Sequence, residues 1–370
     1  MCLHDVSRRD GKNGTKNTVH DFLAMKLESI FLFSLLLLLP LTAMAQDETA
    51  KDFRTFTLYV ENDVLDDTDS LYTSGLKLSW ISPDLRDYRE NSRLPRWSYP
   101  LIKRLPLVNK PGLQYSVSMS LGQNIYTPED NESSDLVKDD RPYAGILYYA
   151  IGFHSKSSRQ MDSLEFLLGI VGPHSYAEET QKKVHELCNN DIFNGWDNQL
   201  KDEPVLGVFY DRKWKLRQSK ISSGFSYDLI PHMGAGLGNA LIYAHAGAGV
   251  RFGWNLPNDF GTFTIRPGSD TNAAIDETDP RFFLRDQRFG IHVFAAVGGS
   301  WVLRNIFLDG NTFRDSHSID KEPFIGNYMV GVGLVLSRFK MTFAHVHQTK
   351  EFKIQKHEHF FTAISLSFSY

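Results

Sequence analysis

The 370-residue sequence has little of what defines several common classes of protein. It contains two cysteines, Cys2 and Cys188, too few for a disulfide-stapled scaffold. Its one long apolar run is Ile30–Leu41, whereas a polytopic helical membrane protein needs several stretches of about 20 apolar residues. With a net charge of −4, the composition gives no reason to expect nucleic-acid binding. Aromatic residues are plentiful, with 26 Phe, 15 Tyr and 6 Trp in a sequence that is polar on average.

The apolar run has the position of a secretion signal. It follows Met25, is short for a membrane span and ends at Ala43–Ala45, a small-x-small pattern typical of signal-peptidase cleavage. We therefore predict that residues 1–45 are a non-mature extension whose part 25–45 is the signal peptide. An uncleaved membrane anchor is the alternative. The remaining residues, 46–370, are predicted to form a single domain.

Segments that alternate apolar and polar residues follow one another along this mature chain. In residues 113–122 the odd-numbered side chains are apolar and the even-numbered ones are small and polar, and residues 363–370 repeat the pattern. About twelve such segments occur, separated by stretches rich in Pro, Asp and Asn that are predicted loops, the longest near residues 255–285. Strands of about ten residues with an apolar face toward lipid and a polar face toward the lumen are typical of membrane barrels. We predict an all-β fold, a transmembrane antiparallel β-barrel of about twelve strands; a secreted sandwich or soluble barrel is the alternative.

One segment departs from this rhythm. Ser175–Glu178 has the pattern of a capping box, and Gln181, Val184 and His185 follow at helical spacing. A short loop helix near residues 176–187 is predicted. Without other information, such a helix would simply plug or cover the barrel.

Polar residues also concentrate at the ends of the first two predicted strands. Asn62 and Asp63 open an acidic stretch that continues to Asp69, and clustered oxygen ligands suit a hard cation such as Ca²⁺. A solvated acidic turn is the simpler interpretation of that stretch alone. In the next strand, Thr73 alternates with the same parity as Lys77, so we expect Thr73 to face the lumen.

Several multi-residue motifs across the mature chain occur together. In chain order they are Glu61–Asp63, Thr68–Gly75, Gly122–Pro128, Asp139–Gly145, Gly172–His185, Gly195–Pro204 and Phe307–Asn311. In this order they resemble the outer-membrane lipid A 3′-O-deacylase family, which is a family of twelve-stranded barrels with a Ca²⁺-dependent esterase site.

The resemblance implies a set of site residues. His185 would be the catalytic base, Asn62 and Thr73 would donate to or orient the reacting groups, and Asp63 would bind Ca²⁺. The acidic partner of the histidine in the family is a glutamate, and Asp191 stands at the matching position here. That departure leaves two other carboxylates of the chain, Glu186 and Glu203, as alternatives.

These residue types suit ester hydrolysis. An imidazole can activate water near neutral pH, and a carboxylate can hold its tautomer. The resemblance implies lipid A or lipopolysaccharide as substrate, residence in the outer membrane after signal-peptide cleavage, and insertion by the barrel-assembly machinery. A phospholipase A-like esterase and a non-catalytic barrel are the alternatives.

Overall fold

The computed structural model describes residues 54–63, 71–90, 94–105, 112–188, 192–222, 224–276, 278–282 and 289–370. The predicted extension and signal peptide lie outside these ranges and stay predictions. None of the helices in the described ranges is long and apolar enough to cross a bilayer.

Strands dominate the described part of the chain. They are β1 Thr55–Asn62, β2 Leu71–Ile81, β3 Gln114–Thr127, β4 Ala144–Lys156, β5 Gln160–Val171, β6 Glu203–Trp214, β7 Arg217–Ser222, β8 Phe225–Gly238, β9 Leu241–Trp254, β10 Phe289–Asn305, β11 Phe324–Leu336, β12 Phe339–Gln348 and β13 His359–Ser369. The helices are α1 Tyr99–Ile102, α2 Ala177–Cys188 and α3 Ile306–Asp309, with a few single 3₁₀ turns between strands.

The strands close into an antiparallel barrel. β1 pairs with both β2 and β13, and the circle closes where β6 and β8 pair over Gly207–Lys213 and His232–Gly238. β7 pairs with the first residues of β8, so β6 and β7 lie one after the other along the same edge of β8 and count as one position in the wall. The wall therefore has twelve strand positions, and the predicted barrel is confirmed.

An even number of wall positions places both ends of the barrel chain on one side. Arg54 and Tyr370 exchange two backbone hydrogen bonds, of 2.8 and 2.9 Å, beside the start of β1 and the end of β13. We call this side the terminal end and the opposite side the far end. The loops that follow β1, β3, β5 and β10 all lie at the far end.

The alternation of side chains separates two environments. On the outer face, Leu168, Leu206 and Val330 expose 58%, 64% and 58% of their surface. On the inner face of β1, Thr57, Tyr59 and Glu61 are buried. An apolar outer face and a polar inner face are the arrangement that a lipid-embedded barrel requires.

A segment between β9 and β10, residues 255–276 and 278–282, folds back into the lumen, and we call it the plug. Wall side chains reach it from several strands: Lys156 Nζ donates to Ala274 O at 2.7 Å, and Lys213 Nζ to Gly268 O at 3.2 Å. The sequence predicts a loop here but not that it fills the barrel.

One carboxylate of the plug joins three buried cations. Asp259 accepts from Lys340 Nζ at 2.6 Å, from Arg251 Nη1 at 2.5 Å and from Arg281 Nη2 at 3.2 Å. All four side chains are at most 4% exposed. Buried charges of this kind are tolerated only when paired, so the plug neutralises the wall around it.

At the terminal end, the segment between β2 and β3 covers part of the outer face. Tyr88 and Ile102 pack against Tyr115 and Phe153, which have the outward parity of β3 and β4. Tyr88 Oη also donates to His154 O at 2.8 Å. This segment therefore covers the outward side chains of β3 and β4 near the terminal end and does not reach their far end.

Replacement of Asp259 tests the role of the plug charge. We expect Asp259→Ala to lower the free energy of unfolding by about 3–5 kcal/mol, because Lys340 and Arg251 lose a buried counter-ion. Urea titration of the purified protein in detergent, followed by the heat-dependent mobility of the folded barrel, measures the loss. Asp320→Ala is the control, since its pair with Lys353 is 82% and 59% exposed and is worth less than about 1 kcal/mol. Equal losses in the two variants would contradict the assignment.

Candidate functional site

Strand β2 contains a β-bulge at Thr73. Tyr72 pairs with Tyr126, and Ser74 pairs with Ile125, so Thr73 is an extra residue between two consecutive pairs. A bulge shifts the alternation of side chains between the two faces of a sheet.

The bulge decides where Thr73 points. Its Oγ1 is 2.6 Å from Thr127 Oγ1, and Thr127 has the same parity on β3 as Leu121, which is 50% exposed on the outer face. The expectation that Thr73 faces the lumen is wrong, because that expectation extends the parity of Lys77 across the bulge. The hydroxyl lies on the outer side of the wall, although Thr73 is buried beneath other groups.

Two further predicted residues meet Thr73 at the end of β1. Asn62 Nδ2 donates to Thr73 O at 3.2 Å, and the backbone N–H of Asp63 donates to the same oxygen at 3.4 Å. Asp63 is fully buried. The structure therefore brings Asn62, Asp63 and Thr73 together at the far end of the β1–β2 hairpin.

Helix α2 is present as predicted, but it begins differently. Pro173–Ser175 forms a 3₁₀ turn, and Tyr176 has φ +57°, so the helix starts at Ala177. The predicted capping box does not form: within the described ranges the Ser175 hydroxyl has no hydrogen-bond partner. The left-handed Tyr176 separates the 3₁₀ turn from the helix.

One face of α2 lies against the outer wall. Ala177, Gln181 and His185 are spaced by four residues and are 1%, 4% and 3% exposed. Ala177 contacts Gly145, which has the outward parity of β4, and a Cβ at Gly145 would collide with the Cβ of Ala177. Gln181 Oε1 accepts from Trp196 Nε1 at 2.8 Å. Gly145 thus permits the close approach of helix and strand.

His185 occupies the last buried position of this face. Its ring meets Phe193 edge-on, with centroids 4.8 Å apart. Phe193 belongs to a buried cluster that also contains Ile125, Ala177 and Trp196. The aromatic contacts restrict the imidazole to one region beside the outer wall.

Strand β3 connects the two groups of predicted residues. Thr127 contacts Thr73, and Ile125, two residues earlier on the same face, packs in the cluster that holds α2. Both residues lie in the motif Gly122–Pro128 without a predicted role, although they alternate in step with the outward-facing Leu121 and could have been placed on the outer face from the sequence. The histidine helix and the hairpin end therefore adjoin the same face of one strand.

The acidic partner of His185 stays a prediction. Asp191 lies outside the described residues. Of the two alternatives, Glu186 is exposed, and Glu203 already accepts hydrogen bonds from Thr312 N at 2.7 Å and from Asn239 Nδ2 at 3.0 Å. Those contacts hold Glu203 to the far-end loops instead.

The hairpin end supplies oxygen ligands. Asp63 has a carboxylate, Asn62 an amide oxygen and Thr73 a hydroxyl, and side-chain oxygens of these types are the ligands that a hard cation such as Ca²⁺ prefers.

A different cluster has the spacing of a metal site. Asp211, His232 and His245 offer ligand atoms within 4.8 Å of one another in the lumen. The Arg266 guanidinium is 3.3 Å from His232 Nδ1 and 3.7 Å from Asp211, so a cation already occupies their neighbourhood. None of the predicted site residues belongs to this cluster.

Another predicted motif contains a buried arginine. In Asp139–Gly145, Arg141 is fully buried, donates to Glu351 at 2.8 Å and lies 4.7 Å from the ring of Tyr126. Asp140 accepts from the backbone N–H groups of Glu129 and Arg141, and burial nevertheless raises the pKa of Asp140 above its usual value. Arg141 therefore links the loop before β4 to the loop after β12 at the far end.

These features define a class: an antiparallel β-barrel of twelve wall positions with an apolar outer face and a group of polar residues on the outside of its wall. A model of the family described as outer membrane protein LpxR matches residues 30–370. The chain belongs to this family, which confirms the resemblance to the lipid A 3′-O-deacylase family.

A solved structure supports the fold. The chain resembles LpxR from Salmonella typhimurium with a TM-score of 0.66 and 18% identity, over 85% of this chain and 99% of that one. At this identity the likeness concerns the fold alone. The β domain of the Bordetella autotransporter BrkA aligns with a TM-score of 0.40 and 7% identity over 87% and 99% of the two chains, which is too low to support an argument. No curated protein sequence matches the chain.

The contact between α2 and Gly145 can be tested directly. We expect Gly145→Ala to weaken the docking of α2 by about 1–3 kcal/mol, because the new methyl group overpacks the helix–strand contact. Hydrogen exchange at the α2 amides should then be faster. Gly249→Ala is the matched control, since its Cβ would be 3.6 Å from the nearest atom, Ala296 Cβ. Unchanged exchange in Gly145→Ala would show that α2 is held in another way.

Proposed function

We propose that the protein is an outer-membrane lipid A deacylase that hydrolyses the ester-linked 3′ acyloxyacyl chain, with water activated by His185 and with Ca²⁺ stabilising the oxyanion. The proposal includes removal of residues 1–45 on export and insertion by the barrel-assembly machinery.

The position of the polar groups supports this proposal most strongly. His185, Thr73 and Asn62 adjoin the outer side of the wall at the far end. A barrel whose termini face the periplasm has its far end at the outer leaflet, where lipid A resides. An ester bond of a lipid in that leaflet can reach an outward site without entering the lumen.

The chain's own residues supply a consistent set of roles. His185 would take a proton from water as the water oxygen attacks the ester carbonyl, and would return the proton to the departing hydroxyl oxygen. In the Thr73–Thr127 pair, one hydroxyl donates to the other, and the second retains its proton for another acceptor such as a developing oxyanion. Asn62 would orient Thr73 through its hydrogen bond to the Thr73 carbonyl.

Asp63 is the residue that would hold the metal. Its carboxylate is completely buried at the end of β1, and carboxylates are the ligands that Ca²⁺ prefers. When bound, Ca²⁺ supplies positive charge for an oxyanion.

The occupied lumen makes a pore function unfavourable. The plug enters from the terminal end, and Arg141, Tyr126 and Phe307 pack together at the far end, with the two rings stacked 4.1 Å apart. Open channels keep a water-filled interior. Because the lumen is filled, the outer face of the wall is the surface on which we expect substrate to bind.

The histidine has a well-matched control on its own helix. We expect His185→Ala to lower the rate of lipid A deacylation by at least about 10²-fold, because water loses its base. Val184→Ala should retain the activity, since the Val184 side chain is 47% exposed and lies off the buried face of α2. Mass spectrometry of lipid A from cells that express each variant measures the loss of the 3′ chain. Full activity of His185→Ala would refute the mechanism, and release of fatty acid from glycerophospholipid alone would favour the phospholipase alternative.

Metal dependence can be examined separately. We expect a calcium chelator to abolish activity, added Ca²⁺ to restore it, and Asp63→Ala to reduce it by about 10²-fold or more, the scale of losing one oxyanion stabiliser. Titration calorimetry with Ca²⁺ should show binding to the wild type and none to Asp63→Ala. Asp87→Ala, at the terminal end, is the control for loss of one carboxylate. Activity that is indifferent to the chelator would exclude the calcium role.

A further inference from the structure

Glu61 joins the plug to the hairpin that carries the candidate site. Its Oε1 accepts from the backbone N–H of Ile265 at 2.5 Å, and its Oε2 accepts from Tyr72 Oη at 2.9 Å. Glu61 is 2% exposed and Tyr72 is 8% exposed. Both carboxylate oxygens are therefore engaged inside the lumen, one by the plug and one by β2.

The same hairpin is tied to the plug at two further points. Tyr59 Oη accepts from Asn272 Nδ2 at 3.1 Å, and Lys77 Nζ is 3.0 Å from Asp270 Oδ2. Tyr59 and Lys77 are directly opposite each other across β1 and β2. These contacts support the middle of the hairpin, and the Glu61 contacts support its far end.

Room for the Glu61 contacts is provided by a glycine. Gly75 is the partner of Glu61 across β1 and β2, and a Cβ at Gly75 would collide with Tyr72 Oη and lie 3.2 Å from Ile265 Cδ1. The absence of a side chain at Gly75 lets Glu61, Tyr72 and Ile265 meet.

Each lumen-facing residue of this group immediately precedes a site residue. Glu61 precedes Asn62, and Tyr72 precedes Thr73. Neighbouring residues of a strand share a peptide plane and point to opposite faces, so a hydrogen bond that holds one side chain in the lumen also holds the backbone of the next. The contacts inside the barrel can thus determine positions outside it.

We propose that Glu61 is a positioning residue that clamps the far end of the β1–β2 hairpin to the plug and thereby holds Asn62, Asp63 and Thr73 in register for catalysis. The inference rests on the proposed function for its activity readout. The clamp consists of the contacts of Glu61 with Tyr72 and Ile265, and these contacts can be tested without substrate.

The first measurement is steady-state hydrolysis by the full-length protein in detergent micelles, normalised to folded barrel. Glu61→Ala should lower kcat by about 10–100-fold, with KM changed by less than about threefold, because a displacement of about 1 Å at a site costs rate and not substrate affinity. Glu61→Gln keeps one oxygen acceptor for Ile265 and should recover a substantial part of kcat.

The matched control is another buried wall carboxylate. Asp162 is 1% exposed and accepts from Tyr210 Oη at 2.7 Å and from Arg212 Nε at 2.6 Å, near the terminal end of β5 and β6. Asp162→Ala removes a comparable set of buried contacts and should leave kcat per folded protein unchanged. A purely structural role of Glu61 would give the two alanine variants the same kcat and would overturn the proposal.

The second measurement is hydrogen exchange of the same proteins without substrate. Glu61→Ala should accelerate exchange at the amides of Ile265 and Asp63 by about tenfold or more, and Asp162→Ala should not. Protection equal to wild type at both amides would refute the clamp, and faster exchange with an unaltered kcat would refute its role in positioning the site. If the wild type hydrolyses neither lipid A nor phospholipid, the proposed function fails, while the exchange data still decide whether the clamp exists.

Discussion

A strand that crosses a bilayer offers each side chain only two environments, lipid or lumen, and the rest of this structure depends on that constraint. Charged residues of the wall, such as Lys77, Arg251 and Lys340, must point inward, where they need counter-ions. The plug provides Asp270 and Asp259 for this purpose. Groups that are to act on a lipid must point outward, and the hairpin end and α2 lie on that side.

The wall near the site is held from both faces. Inside, the plug binds Glu61 through a backbone amide. Outside, α2 approaches β4 at Gly145 and is fastened by the Gln181–Trp196 hydrogen bond. Site residues at the end of a strand would otherwise belong to its most easily frayed part, so support from two sides suits a site that must keep its geometry. The bulge at Thr73 adds one residue to β2 and turns a hydroxyl toward the lipid side.

Much of this arrangement is readable from the sequence, and the failures have identifiable causes. The period of two in residues 113–122 predicts the barrel, and the spacing of Gln181 and His185 predicts the buried face of α2. The alternation of side chains predicts the wrong face for Thr73, because a bulge inserts one residue without changing the pattern of apolar residues in the sequence. The plug also escapes prediction, because the partners of its charges are remote: Lys340 and Asp259 are 81 positions apart.

The shared charges of wall and plug have a consequence for assembly. Arg251 belongs to β9, Lys340 belongs to β12, and the carboxylate between them belongs to a segment that is neither strand. A barrel that closed in the bilayer with this segment outside would enclose Lys340 without its carboxylate partner, and a segment arriving later would have to pass a finished ring of hydrogen-bonded strands. We therefore expect closure of the barrel and entry of this segment to be coupled, so that the membrane wall and its filled interior form together.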